Sequence, residues 1–248
     1  MIDCAVILAA GRGTRLGKQG TMAPKGFLCL GERPIIEESL LRLQRTGIGR
    51  VIIVTGHLAH FYEELAARSR GPIEIPIETV HNPHYTDSGS MYSLSLAKNK
   101  LPGDFLLLES DLIYEQRALT HVLNFPEDNL VLLSGATHSG DEVYVETKSW
   151  KGRQRLVDMS KERQRLGGDI AGELVGISKI SRDLFRVMQE KAGQRFQKSL
   201  MMDYETDALV AACRETPVYC HCVDDLLWAE IDDMAHLARA RSEIYPRL

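Results

Sequence analysis

The chain has 248 residues, 44% hydrophobic and 26% charged, with a net charge of -4. That length can bury a sizeable core, and the slightly acidic balance argues against coating a nucleic acid or an anionic membrane surface. There is no apolar run of about 18 residues to span a bilayer, and the first residues lack the charged-then-apolar layout of a signal peptide. No nucleic acid or membrane partner is therefore expected, a cytoplasmic location is expected, and a homodimer is left open.

Residues 5–9 read as a buried strand, after which the chain turns through Gly11 and Gly13. Glycines there let several backbone N–H groups point into one concavity, which suits a polyanion. Arg12, Arg15, Lys18 and Lys25 ring the same loop with cations. Residues 34–45 have helical periodicity, with a proline at the start and Gly47 past the end. A continuous apolar strand follows at 50–55, then a helix at 58–68, a strand at 73–80 and a short helix at 90–98. Residues 104–111 form a strand ending in acids, 118–123 a helix and 130–133 another strand. This alternation predicts an α/β domain with a mainly parallel sheet flanked by helices.

The pattern changes near Gly140. Residues 142–146 and 155–158 alternate like antiparallel strands around a turn at 150–152, and Lys151, Arg153 and Arg155 read as its solvated tip or as phosphate contacts. A buried strand is expected at 174–177, helices at 183–191 and 204–213, strands at 218–223 and 227–231, and a closing helix at 234–243. Without repeats or linkers, residues 1–248 read as one domain carrying an insertion over roughly 138–180. The five cysteines lack C-x-x-C spacing. In a strand, Cys220 and Cys222 share one face while His221 points away, so reduced thiols are expected rather than zinc.

Two common phosphate loops fail by spacing: a dinucleotide fingerprint needs glycine where Leu16 stands, and the Walker pattern needs one at Leu16 or Lys18. Ligands of open α/β sheets sit beyond the carboxyl ends of the strands, where Asp111 lies, with Glu109 on its face by the period of two. A carboxylate facing a phosphate loop is well placed to hold Mg²⁺; otherwise Asp111 simply begins the next loop.

The run from Leu8 to Leu16, with Pro24-Lys25 after it, resembles the L-A-A-G-x-G-T-R-L and P-K signature of nucleotidyltransferases with a glycosyltransferase-A-like fold, the MobA-like and sugar-phosphate nucleotidyltransferase superfamily. The segment from His81 to Ala97 is similar to the phosphocholine and 2-aminoethylphosphonate cytidylyltransferase branch. This resemblance implies a mixed, mainly parallel sheet with a small antiparallel acceptor-binding lid. It implies phosphate handling by Arg15 and Lys25, and nucleotide contacts at Leu8, Ala9, Ala10, Gly11, Gly13, Thr14, Gly56, His57, Ser88, Gly89 and Ser90. Ser88 to Ser90 otherwise reads as a polar turn capping the next helix. The resemblance further implies Mg²⁺ on Asp111 and a second, late aspartate, matched by Asp232, whose other reading is an N-cap for the helix from Asp233.

The implied reaction joins CMP from CTP to a small phosphate or phosphonate acceptor and releases pyrophosphate, without a general base because the acceptor is already an anion. A sugar-1-phosphate nucleotidyltransferase shares the same parts, and a non-catalytic nucleotide-binding regulatory subunit should have lost one of Arg15, Lys25, Asp111 or Asp232. The middle region is poor in rings but rich in acids: Asp141, Glu142, Glu146, Glu173, Asp203, Glu205 and Asp207. An aminoalkyl acceptor, 2-aminoethylphosphonate ahead of phosphocholine, is therefore expected, with Glu142, Tyr144, Glu173, Asp203 and Tyr204 in its pocket. Removing Lys25 is expected to weaken phosphate binding with little effect on stability.

Overall fold

In the computed structural model, which describes residues 2–68 and 71–248, eleven strands and their helices form an α/β architecture. The strands are β1 (Cys4–Ala9), β2 (Arg50–Thr55), β3 (Ile77–His81), β4 (Phe105–Glu109), β5 (Leu112–Tyr114), β6 (Leu130–Ser134), β7 (Tyr144–Trp150), β8 (Arg153–Ser160), β9 (Asp169–Ile180), β10 (Tyr219–Val223) and β11 (Trp228–Glu230). The main sheet runs β3-β2-β1-β4-β9-β6-β10-β8-β7, and β5 pairs with β11 apart from it. β1 is parallel to both β2 and β4, and β6 to β10, whereas β9 lies antiparallel between β4 and β6. The sheet is thus mixed and mainly parallel on one side, with an antiparallel β7–β8–β9 extension on the other.

Alternation along each parallel strand sends successive side chains to opposite layers. Val6, Ile52 and Leu107 pack with the helices Ser90–Leu96 and Arg182–Phe196, while Ile7, Ile53 and Leu108 pack with Ile35–Arg45, Ala59–Ala67 and Arg117–Asn124. A third cluster joins Leu16 of the first loop to Ile113, Ile231, Leu237 and Ile244. That contact docks the glycine-rich loop onto the C-terminal segment.

Several elements differ from the sequence reading. The third strand starts at Ile77 rather than 73, because Pro72 and Pro76 have no N–H and the Glu74 and Ile75 amides donate to Gln44 Oε1 at 2.7 and 3.0 Å. The helix from Tyr204 opens as a π-helical turn, Tyr204–Leu209, and β5 was not anticipated. β9 spans twelve residues where four were read, since its first half pairs with β7 and its second half enters the main sheet. All five cysteines are free, and among the described residues no helix is long and apolar enough to cross a membrane.

One close approach sets the position of Lys25. A Cβ on Gly26 would lie 2.9 Å from the Ser110 carbonyl oxygen and 2.9 Å from the Tyr62 hydroxyl, so only glycine lets this turn rest against the end of β4. Gly26→Ala is expected to cost about 1–3 kcal/mol by forcing these elements apart. A thermal melt matching wild type would show that the turn can shift without loss.

Candidate active site

Asp111 precedes β5 and Asp232 follows β11, and the antiparallel register of Leu112 with Glu230 sets those two ends side by side. The Ile231 N–H donates to the Asp111 carbonyl at 3.2 Å, closing the pair. Lys25 enters between them: its Nζ donates to Asp111 Oδ2 at 2.7 Å and to Asp232 Oδ1 at 2.5 Å. Arg15 reaches the same Asp232 oxygen and Asp141 Oδ2, both at 2.8 Å. Lys161 holds the other Asp141 oxygen at 2.7 Å. A line of alternating charges therefore runs from the sheet end to the β7–β8 extension. Burial opposes the Lys25 charge, but the two carboxylates outweigh it and hold the ammonium well above the usual lysine range. Burial likewise pushes Asp141 up, yet Lys161 and Arg15 prevail and hold its carboxyl well below the usual range.

Beside this line lies a cleft of about 330 Å³ walled by Leu8, Ala9, Ala10 and Gly11 from the end of β1, and by Lys25 and Asp111. Tyr85 and Ser88, Gly89 and Ser90 form its opposite wall. The fully buried Asn82 braces that wall, its Nδ2 donating to Ser88 Oγ at 3.0 Å and to Ser93 Oγ at 2.9 Å. Ser90 Oγ accepts the Tyr204 N–H at 2.9 Å, tying the wall to the π-helical turn. A bare loop of glycine and alanine backbone facing Lys25 is suited to phosphates, and the ring and hydroxyls opposite are suited to a planar base.

A second, more enclosed cleft of about 60 Å³ opens against the first and is lined by Glu142, Val143, Glu173, Trp228 and His236 among others. Glu109, Lys161, Glu205 and Glu230 line both clefts. Three enclosed polar atoms without a hydrogen-bond partner, Thr137 Oγ1, Glu205 Oε2 and His236 Nδ1, belong to residues of this second cleft. Burial, then the charges of Glu109, Asp111 and Asp232, pushes Glu230 up to about 10. Burial also raises Glu205 to about 7, and with the Glu205 and Asp111 charges it lifts Glu109 well above the carboxylate range. Among the described residues, the group of three acids whose oxygens all lie close enough to share an ion is Glu109, Asp111 and Glu230, within 4.8 Å of one another.

The fold brings together most of the residues read from the sequence. Arg15, Lys25, Asp111 and Asp232 converge, and Asp233 rather than Asp232 caps the helix Met234–Arg239, its Oδ1 accepting the His236 N–H at 2.8 Å. Asp232 lies outside the three-acid group, held instead by Lys25 and Arg15. Gly13, Thr14, Gly56 and His57 do not line the first cleft. Gly13 turns the loop with φ 61°, and Gly56 is a packing glycine whose Cβ would sit 2.7 Å from the Ala10 carbonyl oxygen. His57 Nε2 lies 3.3 Å from the Gly20 carbonyl oxygen.

In the acceptor set, Glu142 and Glu173 line the second cleft and Asp203 the first. Tyr144 lines neither: strand alternation turns it away where the adjacent Val143 faces in. Tyr204 is buried beneath the floor, its hydroxyl donating to Glu109 Oε1 at 3.1 Å. Lys161 and Tyr85 were missed as cleft residues. The signal for Tyr85 was its place three residues after Asn82; nothing in the sequence singled out Lys161.

Lys25 is part of the buried structure, because its side chain is 18% exposed and its partners only 6% and 3%. Its removal is therefore expected to destabilise rather than to be neutral: Lys25→Ala leaves the buried Asp111 without its cation and Asp232 with Arg15 alone, at about 3–5 kcal/mol. A melt in chelator should show a large drop. A midpoint equal to wild type would mean that the carboxylates are satisfied without it.

The family model described as the MobA-like NTP transferase domain matches residues 5–242. The CMP-5'-(3-aminopropyl)phosphonate synthase of Streptomyces rubellomurinus is 29% identical over 92% of this chain and 37% of its own length. The 2-aminoethylphosphonate cytidylyltransferase of Lancefieldella rimae is 26% identical, covering 94% of this chain and 90% of itself. The chain spans 37% to 51% of the length of four of the relatives it matches, among them the choline-phosphate cytidylyltransferase of Streptococcus pneumoniae, 32% identical over 42% of each chain. Among solved structures, a UDP-glucose pyrophosphorylase superposes with a TM-score of 0.79 at 17% identity, covering 100% of both chains. The CTP:phosphocholine cytidylyltransferase of Streptococcus pneumoniae does so at 0.72 and 19%, covering 97% of this chain and 98% of that one. These neighbours share the glycosyltransferase-A-like nucleotidyltransferase fold. With its match from residue 5 to 242, the chain belongs to the MobA-like NTP transferase family.

Proposed function

We propose that this protein is a cytidylyltransferase that transfers CMP from CTP to a small aminoalkyl phosphonate, 2-aminoethylphosphonate ahead of phosphocholine, releasing pyrophosphate. The observation that carries the reading is the meeting of a phosphate-suited cleft with an acid-lined one at Glu109, Lys161, Glu205 and Glu230. The second cleft has one indole, Trp228, and six carboxylates: Glu109, Asp141, Glu142, Glu173, Glu205 and Glu230. One ring does not make a cage for a quaternary ammonium, whereas carboxylates accept the N–H donors of a primary one. The names of the aminopropylphosphonate and aminoethylphosphonate relatives agree with this chemistry.

In the reaction, a phosphonate oxygen forms a bond to the α-phosphorus of CTP as the bond to the pyrophosphate oxygen breaks, in line. The protein's task is positioning and charge neutralisation. The backbone of Ala10 and Gly11 and the Lys25 ammonium receive the triphosphate, and Arg15 joins from the rim. Lys161, at the junction, offsets repulsion between the two anionic reactants. Tyr85 and the Ser88 to Ser90 wall hold the cytosine. The acceptor oxygen is ionised at neutral pH, so no side chain needs to remove a proton.

Asp111 and Asp232 already converge on one cation position, taken by the Lys25 ammonium, and their all-oxygen donor set fits Mg²⁺. When bound there, with Glu109 and Glu230 near Asp111, the ion would neutralise phosphate charge. A non-catalytic subunit has no need of this convergence.

Asp111→Asn and Asp232→Asn are each expected to lower turnover about 100-fold or more at saturating Mg²⁺, with the fold kept. Normal turnover by either variant removes that residue from the ligand set. The acceptor is tested by competition: CTP and Mg²⁺ with equal 2-aminoethylphosphonate, phosphocholine and a sugar 1-phosphate, followed by phosphorus NMR. The aminophosphonate should be consumed first; preference for either of the others would sink the reading.

A further inference from the structure

Among the described residues, one acid of the junction of the two clefts has an enclosed oxygen without a partner, while most of its acidic neighbours are engaged. Glu109 Oε1 accepts the Tyr204 hydroxyl at 3.1 Å, Glu173 Oε2 the Thr137 N–H at 2.9 Å, and Glu142 Oε1 the Gly140 N–H at 3.0 Å. Asp141 is held by Arg15 and Lys161. Glu205 differs. Its Oε2 is enclosed and accepts nothing, although the residue lines both clefts. The chain's own cations at the junction are engaged elsewhere, Lys161 on Asp141 and Lys25 on Asp111 and Asp232. An enclosed carboxylate oxygen without a donor is costly, and such an orphan in a cleft marks a place for a ligand group.

The backbone holds Glu205 in this position. It is the second residue of the π-helical turn Tyr204–Leu209, a geometry that recurs at functional sites. The turn is pinned in front by the Tyr204 N–H on Ser90 Oγ at 2.9 Å and by the Asp203 N–H on Asp207 Oδ2 at 3.1 Å. The nearby indole of Trp228 has already spent its N–H on Ser134 Oγ at 2.8 Å. A carboxylate presented rigidly beside the reacting junction thus lacks only a donor.

We infer that Glu205 binds the cationic head of the acceptor and selects a primary ammonium over a quaternary one. This rests on the aminoalkyl reading above and names the residue that enforces it. A primary ammonium brings three N–H donors, one of which completes Oε2 with a charge-assisted hydrogen bond; a trimethylated nitrogen brings none and leaves that oxygen desolvated and unpaired. Rejection of the wrong head group then comes from an unsatisfied buried acceptor, a stronger discriminator than the added bulk.

The test is a methylation series: 2-aminoethylphosphonate with zero, one, two and three N-methyl groups, each with CTP and Mg²⁺, read as kcat/KM. Wild type should decline along the series and fall most steeply, about 10- to 100-fold, at the third methyl, which removes the last N–H. Glu205→Gln, nearly the same shape, should lose activity on the unmethylated acceptor and respond evenly across the series, with CTP binding unchanged. Glu205→Asp keeps the charge and should keep the ranking at lower kcat/KM. A Gln variant that retains the wild-type steep step overturns the assignment while leaving the aminoalkyl reading intact. An even response in both variants also overturns it, because site shape rather than charge would then set the ranking. Wild type that turns over no member of the series overturns the aminoalkyl reading itself.

Discussion

The Lys25 ammonium, clasped between Asp111 and Asp232, is the interaction on which the site depends. Two carboxylates this deeply buried are tolerated because a cation sits between them, with Arg15 a second cation on Asp232. The same ammonium fastens the glycine-rich loop to the β5–β11 pair, so loop position and acid position are set together. A triphosphate arriving beside Lys25 therefore competes with Asp111 and Asp232 for it. Any cation that takes over those carboxylates frees the lysine for phosphate, which couples the two occupants of the site.

The charge line continues outward through Arg15 and Asp141 to Lys161. Asp141 and Lys161 belong to the segment around the β7–β8 hairpin, whereas Arg15 belongs to the phosphate loop. The region that walls the second cleft is thus bonded to the glycine-rich loop beside the first. β9 gives this region its rigidity, running from the hairpin into the middle of the main sheet between β4 and β6. The two clefts consequently meet on one continuous sheet. Burial there, and next the neighbouring carboxylates, raises Glu109, Glu205 and Glu230, a concentration of displaced acids typical of functional sites.

Much of the architecture was legible in the chain itself. The strand over Arg50–Thr55 was read to the residue, and β1, β6 and the helices Ile35–Arg45 and Ala59–Ala67 were read to within one or two. Continuous apolar runs bounded by glycine and proline admit one local structure when both faces are to be covered. The phosphate loop was legible for a different reason: backbone approach to a polyanion demands glycines and cations at close sequence spacing, so the whole device lies within residues 8–25.

The acids were a different matter. Asp111 and Asp232 could be picked out, but that they share a lysine follows from the register of a three-residue strand, β5, that no local pattern announced. Tyr144 lies outside both clefts because alternation fixes which residues share a face and not which face meets the cleft. Glu205 stood in the sequence as one acid among seven. Its unpaired oxygen arises from a π-helical turn packed against a serine more than a hundred positions earlier, a contact made by tertiary packing alone. Local spacing therefore determined the fold class and the phosphate loop, whose interactions are short in sequence. Long-range packing decided which carboxylates are paired and which is left for a ligand, because burial and partner geometry exist only once distant segments meet.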